Sequence, residues 1–390
     1  PGLLHLHKKS NLIMAYIERQ ISTAIYQAVK YYPVIILTGP RQTGKTTLAR
    51  HIFNDYSFVN LEDISTRNRA TEDVNSFLDS LGNKAIIDEV QNYPEILSAI
   101  QARVDRDKSL RYVLTGSNNF ALLHKSMQSL AGRAALYTLL PFSFNELPKT
   151  MIDIPTSNLM WRGLYPGVVS DGIPPELFYR NYYGTYLERD IRGMAQIQNL
   201  DRFQKFIRLC AARAGCELNQ SSIAVETGVS SPTISSWISI LKASYIIYTL
   251  QPYYANISKR LTKTPKLYFY DSGLLCYLIG IETPEQLDNH PLRGAIFENI
   301  AVTELLKNRY NSSKDPNLFF YRENSGREVD VIQSFPDRLA LYEIKAGKTF
   351  QTDFTKNLRY LSGILPSVKA TTVIYDGTTE SPSLINIRDL

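Results

Sequence analysis

The stretch Val34-Ile35-Ile36-Leu37-Thr38-Gly39-Pro40-Arg41-Gln42-Thr43-Gly44-Lys45-Thr46-Thr47 decides how this chain is read. Its first four residues form an apolar run between Pro33 and Gly39, the pattern of a short strand buried on both faces. Residues 46–53 then read as a helix. Between the two, Gly39 to Thr46 fits Gly-x-x-x-x-Gly-Lys-Thr without a mismatch, in the strand–loop–helix setting that the pattern requires. The glycines let backbone N–H groups turn inward around phosphates, and the helix N-terminus adds partial positive charge. Gly39, Pro40, Arg41, Gln42, Thr43, Gly44, Lys45, Thr46 and Thr47 are therefore the expected phosphate cradle. Lys45 would reach the β- and γ-phosphates of ATP, and the Thr46 hydroxyl would ligate magnesium.

Working outward, Ala85-Ile86-Ile87-Asp88-Glu89 is an apolar strand that delivers Asp88 at its C-terminal end, where open α/β sheets bind ligands. Asp88 is expected on the magnesium, and Glu89 is expected to polarise the attacking water. An adjacent Asp-Glu pair favours a hydrolysing ATPase over a GTP switch, because the base is supplied within the chain. Leu114-Thr115-Gly116-Ser117-Asn118 ends the next strand. Ser117, with Asn118 second, is the candidate to touch the γ-phosphate or the water, a plain strand-to-loop turn being the alternative. Arg133, in Leu130-Ala131-Gly132-Arg133, is the candidate for stabilising transition-state charge, from its own chain or a neighbouring subunit. A surface arginine is the alternative there.

Strands are predicted at 58–61, 85–87, 112–114 and 134–140, with helical patterns at 64–81 and 93–108 and an amphipathic helix over 15–30. Such alternation argues for an α/β domain with a mostly parallel sheet. Pro148, Pro155 and Pro166 thin the pattern out and mark a boundary near 149–157. Residues 161–257 are mainly helical. From about 266 the order helix, three strands, helix, strand forms a further α/β unit. The expected division is 14–152, 153–265 and 266–390.

Together these segments resemble an archaeal and bacterial AAA-like ATPase family whose members carry a C-terminal domain of unknown function. Ser129-Leu130-Ala131-Gly132-Arg133, Tyr186-Leu187-Glu188-Arg189-Asp190-Ile191 and Phe269-Tyr270-Asp271-Ser272-Gly273-Leu274 carry the same likeness, which runs from about residue 17 to 348. The resemblance implies a AAA-like P-loop ATPase domain, a winged helix-turn-helix segment and a C-terminal restriction-endonuclease-like α/β domain. AAA-like sites often lie between subunits, so a homo-oligomer, with a hexameric ring in view, is also expected.

The middle segment fits that picture. Residues 221–230 followed by 231–237 read as helix-turn-helix, with Gly228 permitting the tight turn, Ser231 as cap and Pro232 at the first helical position. Ile234, Ile238 and Leu241 would face the core. Thr233, Ser235 and Ser236, with Ser239, would face outward, able to bond phosphates or bases. Residues 258–266 hold Lys259, Arg260, Lys263 and Lys266, a basic wing in this reading. The recognition helix is poor in Lys and Arg, so the contact expected is with DNA and not sequence-specific. A domain used only for packing or self-association is the alternative.

In the last domain Glu298 sits on a helix, Asp330 ends Gly326-Arg327-Glu328-Val329-Asp330, and Glu343-Ile344-Lys345 follows on the next strand. This resembles the restriction-endonuclease-like core. Glu298, Asp330 and Glu343 would hold magnesium, and Lys345 would stabilise the hydroxide or the scissile phosphate. The i and i+2 spacing puts Glu343 and Lys345 on one strand face.

Composition sets the outer limits. A chain of 390 residues allows two or three domains, and 44% hydrophobic with 21% charged residues is ordinary for a globular protein. Cys210, Cys216 and Cys276 make neither a zinc pattern nor a disulfide framework, so a reducing, cytoplasmic setting is expected. The net charge of +6 permits nucleic-acid binding without requiring it. No apolar run approaches the ~20 residues that span a bilayer. Residues 1–13 lack the long apolar core of a secretory signal, and Met14 is a candidate natural start. Three functions follow: an ATPase that remodels or translocates DNA, branched DNA included; an ATP-gated, magnesium-dependent nuclease; or a nucleotide-dependent switch that processes no DNA.

Overall fold

The computed structural model describes residues 16–117, 130–186, 199–253, 263–379 and 381–390. Asn118, Lys259 and Arg260 lie outside the described residues, as do Ser129 and residues 187–191.

The first sheet contains β1 (Val34–Thr38), β2 (Ser57–Asn60), β3 (Lys84–Asp88), β4 (Arg111–Gly116) and β5 (Ala134–Thr138). Their order is β2-β3-β4-β1-β5, with every pair parallel. All five residues of β1 are buried because helices cover both faces. Val34 and Ile36 join the core beneath Ile64–Glu72, Val74–Ser80 and Ile96–Arg106, while Ile35 and Leu37 join the core beneath Ser22–Ala28 and Lys45–Ile52. The C-terminal ends of β1, β3 and β4 consequently open on one edge of the sheet.

Two helices differ from expectation. The pattern over 64–81 breaks at Asp73, whose extended backbone caps the second helix by accepting from Asn75 N and Ser76 N at 3.0 Å each. The pattern over 15–30 becomes helix only at Ser22, because Arg19 is drawn into the contacts described below.

The second sheet comprises β6 (Ile247–Pro252), β7 (Lys266–Phe269), β8 (Leu318–Arg322), β9 (Glu328–Ser334), β10 (Leu339–Lys345), β11 (Val368–Tyr375) and β12 (Leu384–Asn386). Its order is β12-β11-β10-β9-β8-β6-β7, with mixed pairing. β6 and β7 form an antiparallel pair that continues from the helices Gln220–Thr227 and Ser231–Ala243, and β6 joins β8 in parallel at Gln251 and Pro252. The expected 265/266 boundary falls between the two strands of that pair. Gly228 makes the interhelical turn at φ 70°, as expected. The cap of the second helix is Ser230, whose Oγ accepts from Thr233 N at 3.3 Å, so Ser231 is already helical. Ile234, Ile238 and Leu241 are buried with Trp237 in a core that extends to the long helix Arg293–Asn311.

Candidate functional site

The loop after β1 has the backbone that its glycines permit. Gly39 has φ 142°, and a Cβ there would lie 2.1 Å from Leu139 O. Gly44 has φ 89° and precedes the helix Lys45–Ile52. The Lys45 ammonium donates to Gly39 O at 3.0 Å and Pro40 O at 2.6 Å. Burial pulls its pKa down to about 8, against the pull of Glu89 and Asp88. Arg41 to Thr47 line a cavity of about 1090 Å³ whose other walls include Tyr16, Ile17, Phe142, Phe178 and Tyr182. The Tyr16 ring stacks on His51 with centroids 3.9 Å apart.

Three strand ends meet beside this loop. Thr46 Oγ1 donates to both Asp88 oxygens, at 2.8 and 3.0 Å, and the Thr115 hydroxyl donates to Asp88 from β4. Burial pushes the Asp88 carboxyl up, and the Thr115 and Thr46 hydrogen bonds oppose it. Glu89 takes a left-handed backbone at φ 54°, uncommon for a non-glycine residue, and its N–H donates to Thr115 Oγ1 at 3.3 Å. Its side chain lines the same cavity and is held by Gln91 Nε2 and, at 3.3 Å, by Ser117 Oγ. Lys45, Thr46, Asp88, Glu89 and Ser117 therefore converge. This is a set that fits ATP with magnesium: a glycine-shaped loop leading into a helix N-terminus, a hydroxyl already on a carboxylate, and a second carboxylate beside it.

Three further residues were not anticipated. Thr115 lies inside a quoted segment and Gln91 two residues past another, but nothing in their spacing says which neighbour they hold. Arg19 is buried, and donates to Glu146 Oε1 at 3.0 Å, to Thr43 O at 3.0 Å and to Leu140 O at 2.7 Å.

Of the two placements open to Arg133, its own chain's site and a neighbour's, the first does not occur. Its carbonyl accepts from Val34 N, where β1 and β5 begin, whereas the site lies past Thr38 at the other end. At ~3.3 Å per residue the strand separates them by roughly 13 Å. Its guanidinium is held by Asp105 through bonds of 2.6 and 2.8 Å. Arg133 does not join this site from its own chain.

Residues 31–148 match the family described as AAA domain, and 293–389 match a domain of unknown function, DUF4143. The chain combines an AAA-like P-loop ATPase domain with a C-terminal DUF4143 domain. Between them, residues 156–285 match a second domain of unknown function, DUF8612. Uncharacterized proteins of Mycobacterium tuberculosis and Mycobacterium bovis are each 28% identical over 349 residues, 85% of this chain and 75% of theirs. Among solved structures, a Walker-type ATPase of Pyrococcus abyssi is similar at 17% identity, covering 67% of this chain and 96% of that one with a TM-score of 0.44. A RuvB mutant of Thermotoga maritima is similar at 15% identity, covering 58% and 85% with a TM-score of 0.30. At these TM-scores neither likeness bears on function. Among the described residues no helix is long and apolar enough to cross a membrane.

In the DUF4143 domain the structure gathers the predicted side chains but does not make the predicted magnesium shell. Lys345 Nζ lies 2.6 Å from Glu343 Oε1 and 3.8 Å from Asp330 Oδ2. Glu298 Oε1 accepts from Tyr268 OH at 2.6 Å and from Lys266 Nζ at 2.9 Å. Among the described residues no three Asp, Glu, His or Cys side chains are placed to hold a metal ion. Glu298, Asp330 and Glu343 are taken by ammonium, hydroxyl and amide donors instead. Lys266, read from sequence as a wing cation, is buried.

On the helix Ser231–Ala243, within the stretch that matches DUF8612, Ser235 and Ser236 are exposed, as is Lys263 before β7. Thr233 is half-buried and shares a 2.8 Å hydrogen bond with Ser230. The expected outward face exists, though Thr233 contributes less of it than its spacing suggests.

Proposed function

We propose that the AAA domain binds and hydrolyses ATP with magnesium, and that the hydrolysis acts on DNA held by the helix-turn-helix segment. The observation that carries the ATPase half is the Thr46–Asp88 contact, with Glu89 secured beside it by Gln91 and Ser117. Thr46 and Asp88 would hold magnesium, which when bound neutralises charge on the β- and γ-phosphates. Lys45 exchanges its two carbonyl acceptors for phosphate oxygens. Glu89 takes the proton of the attacking water, and Gln91 and Ser117 fix the direction of its carboxylate. Arg133, remote from its own chain's site, is left to serve a neighbouring copy, in keeping with a homo-oligomer such as a hexameric ring. Light scattering with a bound ATP analogue should show that assembly; a monomer alone would remove Arg133 from the mechanism. Three free cysteines, Cys210, Cys216 and Cys276, accord with a cytoplasmic setting.

The DNA half rests on the exposed Ser235 and Ser236, the basic residues at 259–263 and the overall positive charge. The contact would be mainly with phosphates, hence non-specific and salt-sensitive. The test is ATP hydrolysis measured with no DNA and with single-stranded, duplex and four-way-junction DNA at two salt concentrations. A rate raised by DNA, less so at higher salt, is expected. A rate indifferent to every DNA would favour the nucleotide-dependent switch.

A further inference from the structure

Where β7, β9, β10 and the helix Arg293–Asn311 meet, four carboxylates and two ammonium groups are packed together. Lys266 stands at the centre. Its side chain is 3% exposed, and its ammonium is paired with Glu298 at 2.9 Å and with Glu328. Tyr268, two residues along the same strand, donates to the same Glu298 oxygen. The Phe320 ring of β8 lies 5.6 Å from the ammonium. Lys266 cannot be withdrawn without moving its strand: its backbone pairs with Leu250 of β6 on one side and bridges to Glu217 on the other.

The remaining acids are also occupied. Asp330 Oδ2 accepts from Ile344 N at 2.7 Å, Glu343 Oε1 holds Lys345, and Glu328 Oε2 holds Arg322 at 2.9 Å. Glu343 Oε2 is buried without a hydrogen-bond partner, but one oxygen is not a coordination shell. A divalent ion drawing on Glu298 would have to pull that carboxylate away from the Lys266 ammonium, leaving a buried charge with Glu328 alone.

We propose that Lys266 is the built-in cation of this cluster, holding Glu298 with Glu328 so that Glu298 does not join Asp330 and Glu343, themselves paired with Lys345, around a divalent ion. The cluster is then an ionic joint that fastens the β6–β7 pair to the C-terminal sheet, and not a metal-dependent cutting site. The geometry supports the joint directly, since Lys266 comes from β7 while Glu298 and Glu328 come from the long helix and β9. This assignment does not depend on the ATPase reading.

The test is a manganese titration of the nucleotide-free full chain, followed by electron paramagnetic resonance, with Asp88→Asn introduced to remove the other magnesium ligand. The free-manganese signal should match buffer at every addition. One bound equivalent that Glu343→Gln abolishes would overturn the proposal. Lys266→Met should lower Tm by roughly 10 °C or bring manganese binding that the parent lacks. If Lys266→Met keeps the parent's Tm and binds no manganese, there is no joint. If it fails to fold, the titration of the parent still decides whether the cluster takes a metal.

Discussion

Lys45 carries the sharpest conflict between stability and function in this chain. Its amine is buried, its acceptors are two loop carbonyls, and its pKa falls to about 8. A lysine depressed in the folded state releases its proton sooner there than in the unfolded chain. The penalty is therefore full below about pH 8 and is relieved as pH rises towards the unfolded value near 10.4. Lys45→Met should stabilise the nucleotide-free protein at pH 7, by up to about 3 kcal/mol, while abolishing ATP binding. The gain should shrink between pH 8 and 10, as followed by urea denaturation; an unchanged midpoint at pH 7 would mean the amine is not strained. Beside it, Gln91→Ala should lower kcat with KM almost unchanged, and by less than loss of Glu89 does, since Gln91 only aims that carboxylate. At this scale the sequence was legible wherever a motif names chemistry: Lys45, Thr46, Asp88, Glu89 and Ser117 all arrive together. It was mute on Arg19, because Glu146 lies 127 residues away and no local pattern links them. It misled at Lys266, where a basic run hid one lysine turned inward, and it left open whether Arg133 serves its own chain or a neighbour, because the motif does not say that Arg133 precedes β5 at the end away from the P-loop.

Among elements, the P-loop is held from behind as much as from its own strand. Arg19 ties Thr43 O to Glu146 and Leu140 O. The same 140–147 stretch is fixed by the helix Arg293–Asn311: Phe144 N donates to Glu304 at 2.8 Å, Lys307 Nζ donates to Phe142 O at 2.8 Å, and Asn311 Nδ2 donates to Ser143 Oγ at 3.2 Å. Arg19→Ala strands a buried Glu146 carboxylate, so it should cost roughly 3–5 kcal/mol and weaken ATP binding as the loop loosens. Arg19→Lys keeps one bond of three and should recover only part of both. Denaturation midpoints and ATP titrations check this; a variant with wild-type ATP affinity would confine Arg19 to stability. The strands were readable because their apolar runs are short and bounded, and the parallel order followed from their alternation with helices. The breaks at Asp73 and Ser22 were not readable, since the apolar spacing continues through both and only capping and distant contacts end the helices.

At the scale of the whole molecule, the segment that follows the helix Ser231–Ala243 touches the strand that delivers the P-loop. Tyr245, just after the helix Ser231–Ala243, donates to Thr38 Oγ1 at 2.9 Å. Tyr186 donates to Ser244 O at 3.2 Å, and the Arg41 guanidinium lies over its ring at 5.1 Å. If DNA binds as proposed, a shift of this segment would be felt at Gly39 through Thr38. Tyr245→Phe should lose about 1 kcal/mol of stability and blunt the response of hydrolysis to DNA while leaving the DNA-free rate nearly intact. A full response to DNA in Tyr245→Phe would show that the contact does not carry the coupling. The continuous sheet from β7 to β12 is a whole-molecule feature that sequence could not display, because it depends on the two parallel partners Gln251 and Pro252 meeting β8. Whether Asp88 and Glu89 complete a hydrolysing site beside Lys45 and Thr46 is decided by comparing wild type with Glu89→Gln for both ATP binding and ATP turnover. Glu89→Gln should bind ATP as tightly as wild type and lose at least a hundredfold in kcat, on the order expected for removal of a general base. Turnover unchanged in Glu89→Gln, or no turnover by the wild type under any condition that permits binding, would contradict that assignment.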